Sequence, residues 1–162
     1  MRRLATIVLL CFSALAGCSA TARLYPVQGP LSQQNPAPVY VAKLSGALNS
    51  GSFKVILGNG EVGTGRWSVV PRPNKSSDAG NSASPSSGDM AAEWDTVYGQ
   101  GFYTSRVLGA RLHAKAEVTG NQGTVLHVEM YKPGLVGAEA QSAASIKGVA
   151  RDDKDNIYKV AF

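Results

Sequence analysis

Residues 111–131 read RLHAKAEVTGNQGTVLHVEMY, two strict alternations meeting across a turn. Leu112, Ala114, Ala116 and Val118 fall on one side of an extended chain, and Arg111, His113, Lys115 and Glu117 on the other. From Thr124 to Tyr131 the pattern returns, with Leu126, Val128 and Met130 inward. A period of two marks a strand with one buried and one wet face, which is an antiparallel arrangement. Between the two, Thr119-Gly120-Asn121-Gln122-Gly123 has the chemistry of a hairpin turn. Both inward sets are even-numbered, so His113 and His127 are expected to point outward. With Val118 opposite Thr124, His113 faces Glu129, Lys115 faces His127, and the histidines become diagonal neighbours about 7 Å apart. That pair could hold zinc with Glu129 or Glu117. Lys115 beside it and the lack of a third histidine favour a solvated polar face with no metal.

Working outward, strands are expected over residues 39–48, 52–57, 61–70, 102–108, 145–151 and 156–162 as well. Gly58-Asn59-Gly60 and Asp152-Asp153-Lys154-Asp155 are the turns of two more hairpins. One helix is expected over residues 90–97, capped by Asp89, with Met90, Trp94 and Val97 on one stripe. The fold class is therefore mainly all-β: a small antiparallel barrel or sandwich of about eight strands with one short helix. A barrel also removes exposed edges.

The chain of 162 residues begins with an export signal. Arg2 and Arg3 form a positive n-region, and residues 5–12 a short apolar core, too short and wrongly flanked for a spanning helix. Leu15-Ala16-Gly17-Cys18 follows and resembles the lipobox of bacterial lipoproteins. The resemblance implies cleavage between Gly17 and Cys18 and a thioether-linked diacylglycerol on Cys18, with palmitate among its acyl chains. Ser19 after the cysteine favours the outer membrane, with the protein facing the periplasm. No cofactor is expected beyond that covalent lipid. Several acyl chains anchor stably where one is marginal. Cys11 would leave with the leader and Cys18 carry lipid, so the mature chain has no thiol for a disulfide, a nucleophile or a metal. Removal of residues 1–17 leaves 14 Lys+Arg against 11 Asp+Glu. With no basic run, nucleic acid is not an expected partner, and a weak attraction to anionic headgroups is the functional alternative to a merely solvated surface.

Residues 18–35 read as a tether, within which residues 23–27 are apolar enough to dock on the body. Residues 36–162 form one β-rich domain, interrupted by the Ser-, Pro- and Gly-rich stretch 71–88, expected to be disordered.

Most motifs are decoys. Gly58-Asn59-Gly60-Glu61-Val62-Gly63 matches a dinucleotide fingerprint, yet strand-like residues follow where a phosphate-binding helix is required. Gly63 and Gly65 read instead as a bulge or a barrel bend. Asp152, Asp153 and Asp155 lack the spacing of a calcium loop and read as an acidic turn. No G-x-S-x-G elbow occurs. The segment 94–103 is rich in aromatics. Trp94, Tyr98, Phe102 and Tyr103 are the candidate binding surface, although filling the core of a small barrel is the favoured reading of such aromatics. Together with residues 22–30 these segments resemble a group of bacterial lipoproteins of uncharacterised function, a resemblance that implies no activity and no site residues.

The expectation is a lipid-anchored, non-catalytic envelope binding or structural module, held at the membrane and partnered by an envelope protein or glycan. An inhibitor of a periplasmic hydrolase such as lysozyme is the alternative. Small lipoprotein barrels of that kind share the size and the anchor, but their inhibitory loop has no counterpart here and they often carry a disulfide. An enzyme with an unrecognised site is the third reading.

Overall fold

The computed structural model describes residues 19–47, 49–71, 90–108, 110, 112–134 and 143–162. Eight strands follow in chain order: β1 (Ser19–Gln28), β2 (Tyr40–Ala47), β3 (Ser50–Ile56), β4 (Val62–Val69), β5 (Leu112–Gly120), β6 (Val125–Lys132), β7 (Lys147–Asp152) and β8 (Ile157–Ala161). Each pairs antiparallel with the next, and β8 returns to β1, closing a barrel. Closure leaves neither sheet edge exposed, which is how a small all-β body avoids edge-to-edge association. The barrel is complete within Ser19–Ala161.

Alternation decides what enters the barrel. Leu24, Phe53, Val118, Leu126, Val128 and Tyr158 are all at most 2% exposed and meet in one core. Each such burial contributes about 1.5–3 kcal/mol relative to exposure. Lysines, arginines and hydroxyls take most of the outward positions, with Tyr25, Val41 and Ile56 exposed among them, so the apolar core lies inside the barrel and the outside is mainly polar. Strand β4 gives the interior glycine where others give side chains. A Cβ on Gly65 would run into the Glu117 carbonyl of β5, and one on Gly63 would meet methyls of Val55 and Val118 at 2.9 Å. The β4–β5 register runs unbroken from Gly63 to Val69, so these glycines allow close approach and do not form a bulge. The register shift lies in β1, between Pro26 and Gln28. Proline has no N–H for the ladder and is at home at such an irregularity.

A second layer covers part of the wall. Helix α1 (Ala91–Tyr98) and a π-helical turn (Tyr103–Val107) lie outside β6 and β7. Met90, Trp94, Tyr103 and Val107 pack there on the outward residues Tyr131 and Val149.

Four expectations are corrected. The tether does not extend over residues 18–35, because Ser19–Gln28 is a strand of the barrel and Pro30–Gln33 a 3₁₀ turn. Ala22 and Leu24 are fully buried there, and the polar residues that suggest a spacer are simply the outward half of the alternation. Residues 102–108 are not a strand. Gly99 and Gly101 at positive φ turn the chain after α1, and the Asp95 carboxylate accepts the N–H groups of Gly101 (2.9 Å) and Tyr103 (3.0 Å), winding the segment into the π turn. The β5–β6 register is displaced by two residues from expectation: Val118 pairs with Leu126, not Thr124. Gly120 N–H bonds Thr124 O at 2.7 Å, setting the turn one residue further on, so side-chain parity is preserved while partners change. Finally, the helix is capped by Met90 without a side-chain hydrogen bond. Residues 1–18, with the leader, Gly17 and Cys18, and residues 72–89, with Asp89 and most of the stretch 71–88, lie outside the described residues.

Candidate functional site

The two barrel ends differ in chemistry. At the end where β1 begins, a cavity of about 330 Å³ enters the barrel. Its wall is Leu44, Trp67, Val69, Ala114, Met130 and Phe162, with Ser19, Ser45 and Lys132 as polar residues in the lining. The space exists because inward positions here are small, Ala20 on β1, Gly46 on β2 and Ala114 on β5. The Trp67 indole N–H bonds the Ser45 carbonyl at 3.3 Å, which fixes the ring in the wall.

The opposite end is polar. Its carboxylates organise the turns. Glu61 accepts the Thr124 hydroxyl at 2.7 Å and the N–H groups of Gln122 and Thr124 at 3.0 Å. These bonds, the hydroxyl first, hold its carboxyl below the usual range despite burial. Asp152 accepts the Tyr158 hydroxyl at 2.7 Å and the N–H groups of Lys154 and Asn156 at 2.9 Å. Burial, then the Asp152 charge and hydrogen bond, push the Tyr158 phenol far up, so it serves as a neutral donor. Asn156 accepts the Leu31 N–H at 2.9 Å, tying the 3₁₀ turn after β1 to this end. The acidic turn at residues 152–155 is thus a folded cap, with Asp152 directed inward.

On the wall, α1 buries a carboxylate that sequence places on a wet face. Glu129 is 1% exposed. It accepts the Trp94 indole N–H at 2.9 Å and the Met90 N–H at 3.3 Å, and lies 3.1 Å from Lys115 Nζ and 3.3 Å from His113 Nε2. Burial pushes its carboxyl up, but the bonds from His113 and Trp94 and the charges of His113 and Lys115 outweigh burial and leave it below the ordinary value. His113 therefore meets Glu129 as expected, though diagonally, since its direct partner is Tyr131. The histidines are not diagonal neighbours: His113 is mostly covered, and only His127, opposite Glu117, stands on a wet face. Beside this cluster Arg151 bonds Glu93 at 2.6 Å.

The candidate aromatic surface is corrected by the same helix. Trp94 (0%) and Tyr103 (3%) are buried, and the core they fill lies outside the barrel, not within it. Tyr98 and Phe102 are half-buried and stack on each other at 4.8 Å. Burial pushes the Tyr98 phenol up to about 12, and Lys147 and Lys159 stand 5.5 and 5.7 Å from its ring centre. Among the described residues, every buried side-chain nitrogen and oxygen has a hydrogen-bond partner, and no group of three or more His, Cys, Asp or Glu could hold a metal ion.

These features define a small up-and-down β-barrel with an apolar cavity at one end, a polar-lined cavity of about 560 Å³ at the other and a helical cover on its wall. Comparison with protein-family models, with curated proteins and with solved structures found no match to this chain in any of the three.

Proposed function

We propose that this chain is a lipid-anchored, non-catalytic binding module facing the periplasm from the outer membrane, and that the apolar mouth of its barrel is the seat for a hydrocarbon chain. The observation that carries the reading is the cavity of about 330 Å³ at the β1 end. An eight-stranded barrel is wide enough to be filled by side chains or to hold one small ligand. Here Phe53, Tyr158 and their neighbours fill the interior, and the small residues at the mouth leave it unfilled. The volume lies in the range of small-molecule sites, and an apolar wall with few polar groups is the usual lining. Lys132 supplies a cation suited to an acidic headgroup. The leader and Leu15-Ala16-Gly17-Cys18 support the anchor, and Ser19, the next residue, lines the mouth, so a lipid on Cys18 holds that end close to the membrane. An envelope protein or glycan partner would have to present an apolar group to use this seat.

The test is titration with a brominated fatty acid, which quenches an indole on contact. Trp67 lines the cavity while Trp94 is buried elsewhere. Saturable, equimolar quenching is expected in the native protein, and its loss in Ala114→Phe, which fills the mouth, with an unchanged far-ultraviolet spectrum. No quenching in the native protein, or equal quenching in the filled variant, refutes the reading.

A further inference from the structure

Charges that are scattered along the sequence are sorted by the barrel. Arg23 on β1, Lys43 on β2, Lys54 on β3 and Lys159 on β8 all point outward and are exposed. The outward positions of these four strands carry no carboxylate among the described residues. Glu61, the one acid in residues 19–71, is buried and engaged by Thr124. The basic face ends at β4, where Arg66 stands opposite Glu117. At its other border Lys159 stands opposite Val149 of β7, which the helical layer covers, and 5.7 Å from the Tyr98 ring centre.

Within this face Lys43 and Lys54 are direct cross-strand partners. Like charges in that position repel and destabilise a sheet. Among the described residues no carboxylate forms an ion pair with either. A partner that supplies negative charge relieves the repulsion. Exposed apolar side chains are set among the cations. Val41 (48%) lies between Arg23 and Ile56 (55%) in the register, and Tyr25 (37%) lies beside Lys159.

We propose that the outer face of β8, β1, β2 and β3 lies against the anionic phospholipid headgroups of a bilayer. Ammonium and guanidinium groups meet phosphate there, while Tyr25, Val41 and Ile56 reach the boundary with the acyl chains, the combination that interfacial segments use. A polysaccharide matches the charge but gives the aliphatic groups no partner. This contact requires neither a lipid on Cys18 nor a ligand in the barrel mouth, so it stands apart from the function proposed above.

The experiment uses the chain from residue 18 onward with Cys18→Ser, so that no acyl group contributes. Its sedimentation is measured with vesicles of phosphatidylcholine alone and of phosphatidylcholine mixed with phosphatidylglycerol. Binding to the anionic vesicles only is expected, weakening as salt rises. Lys43→Gln with Lys54→Gln should lower the partition coefficient about 25-fold, roughly fivefold per cation. The same double variant should unfold at an equal or higher temperature, because the repulsion is gone. Equal binding to neutral vesicles, no binding to either, or unchanged partition of the double variant overturns the proposal. Retention on heparin without vesicle binding also overturns it, assigning the face to a soluble polyanion.

Discussion

Replacing Glu129 tests whether the wall cluster is held as described. Glu129→Ala strands the buried Trp94 indole N–H and the Met90 N–H, which it accepts at 2.9 and 3.3 Å. An unsatisfied buried donor costs about 1–3 kcal/mol, so the two together cost about 2–6. Relief from burying a carboxylate offsets part of this, and Lys115, about a third exposed (32%), recovers water. The net expectation is about 3–5 kcal/mol, the usual cost of breaking a buried pair by removing one partner. Glu129→Gln keeps an acceptor for Trp94 but loses the charge and should cost about 1–3 kcal/mol. Urea unfolding at pH 7, followed by tryptophan fluorescence and circular dichroism, measures both. Acid supplies a second readout. The folded carboxyl lies below its ordinary value of 4.5, so its contribution is present in full above that value and is lost as pH falls through the lower folded value. Glu61 and Asp95 are displaced the same way and lose stability in the same region, so the difference between native protein and Glu129→Gln isolates Glu129. That difference should shrink below pH 4.5. An Ala variant within about 0.5 kcal/mol of native, or a Gln difference independent of pH, would refute the account.

Trp94→Ala should cost about 3–5 kcal/mol of stability, the price of a large buried side chain, while exposed His127→Ala stays within about 0.5; thermal unfolding of the two variants checks it, and a Trp94→Ala protein of native stability contradicts the buried placement. Cys18→Ala should abolish metabolic labelling with palmitate and leave only a membrane association that salt extracts, and labelling that persists in this variant removes the anchor from the proposed function.

Much of the fold was legible because side-chain parity is local. In an extended chain every second residue shares a face, so Leu112 to Val118 and Leu126 to Met130 announced their strands and inward sides before any partner was known. The glycine-rich turns at residues 58–60 and 119–123 joined neighbours in sequence, which is all a meander needs. Register was not local: it rested on Gly120 and Thr124 closing the turn, and it moved by two residues without disturbing parity. Strand β1 was missed because its polar half resembles a spacer, and only pairing with both β2 and β8 shows what Ala22 and Leu24 are for. Residues 102–108 were misread because Tyr103 and Val107, four apart, fit a strand's composition but a helix's spacing, and the decisive bonds come from Asp95 in the preceding helix. The cavity and the carboxylate cluster on the wall belong wholly to the tertiary level. A cavity is defined by what eight strand ends leave unfilled, and Glu129 is buried only because a helix from elsewhere lies over it. Lys43 and Lys54, eleven residues apart in the chain, became one charge cluster when β2 and β3 paired. Sequence periodicity fixes which way a side chain points; what it points at depends on chain segments that no local pattern records.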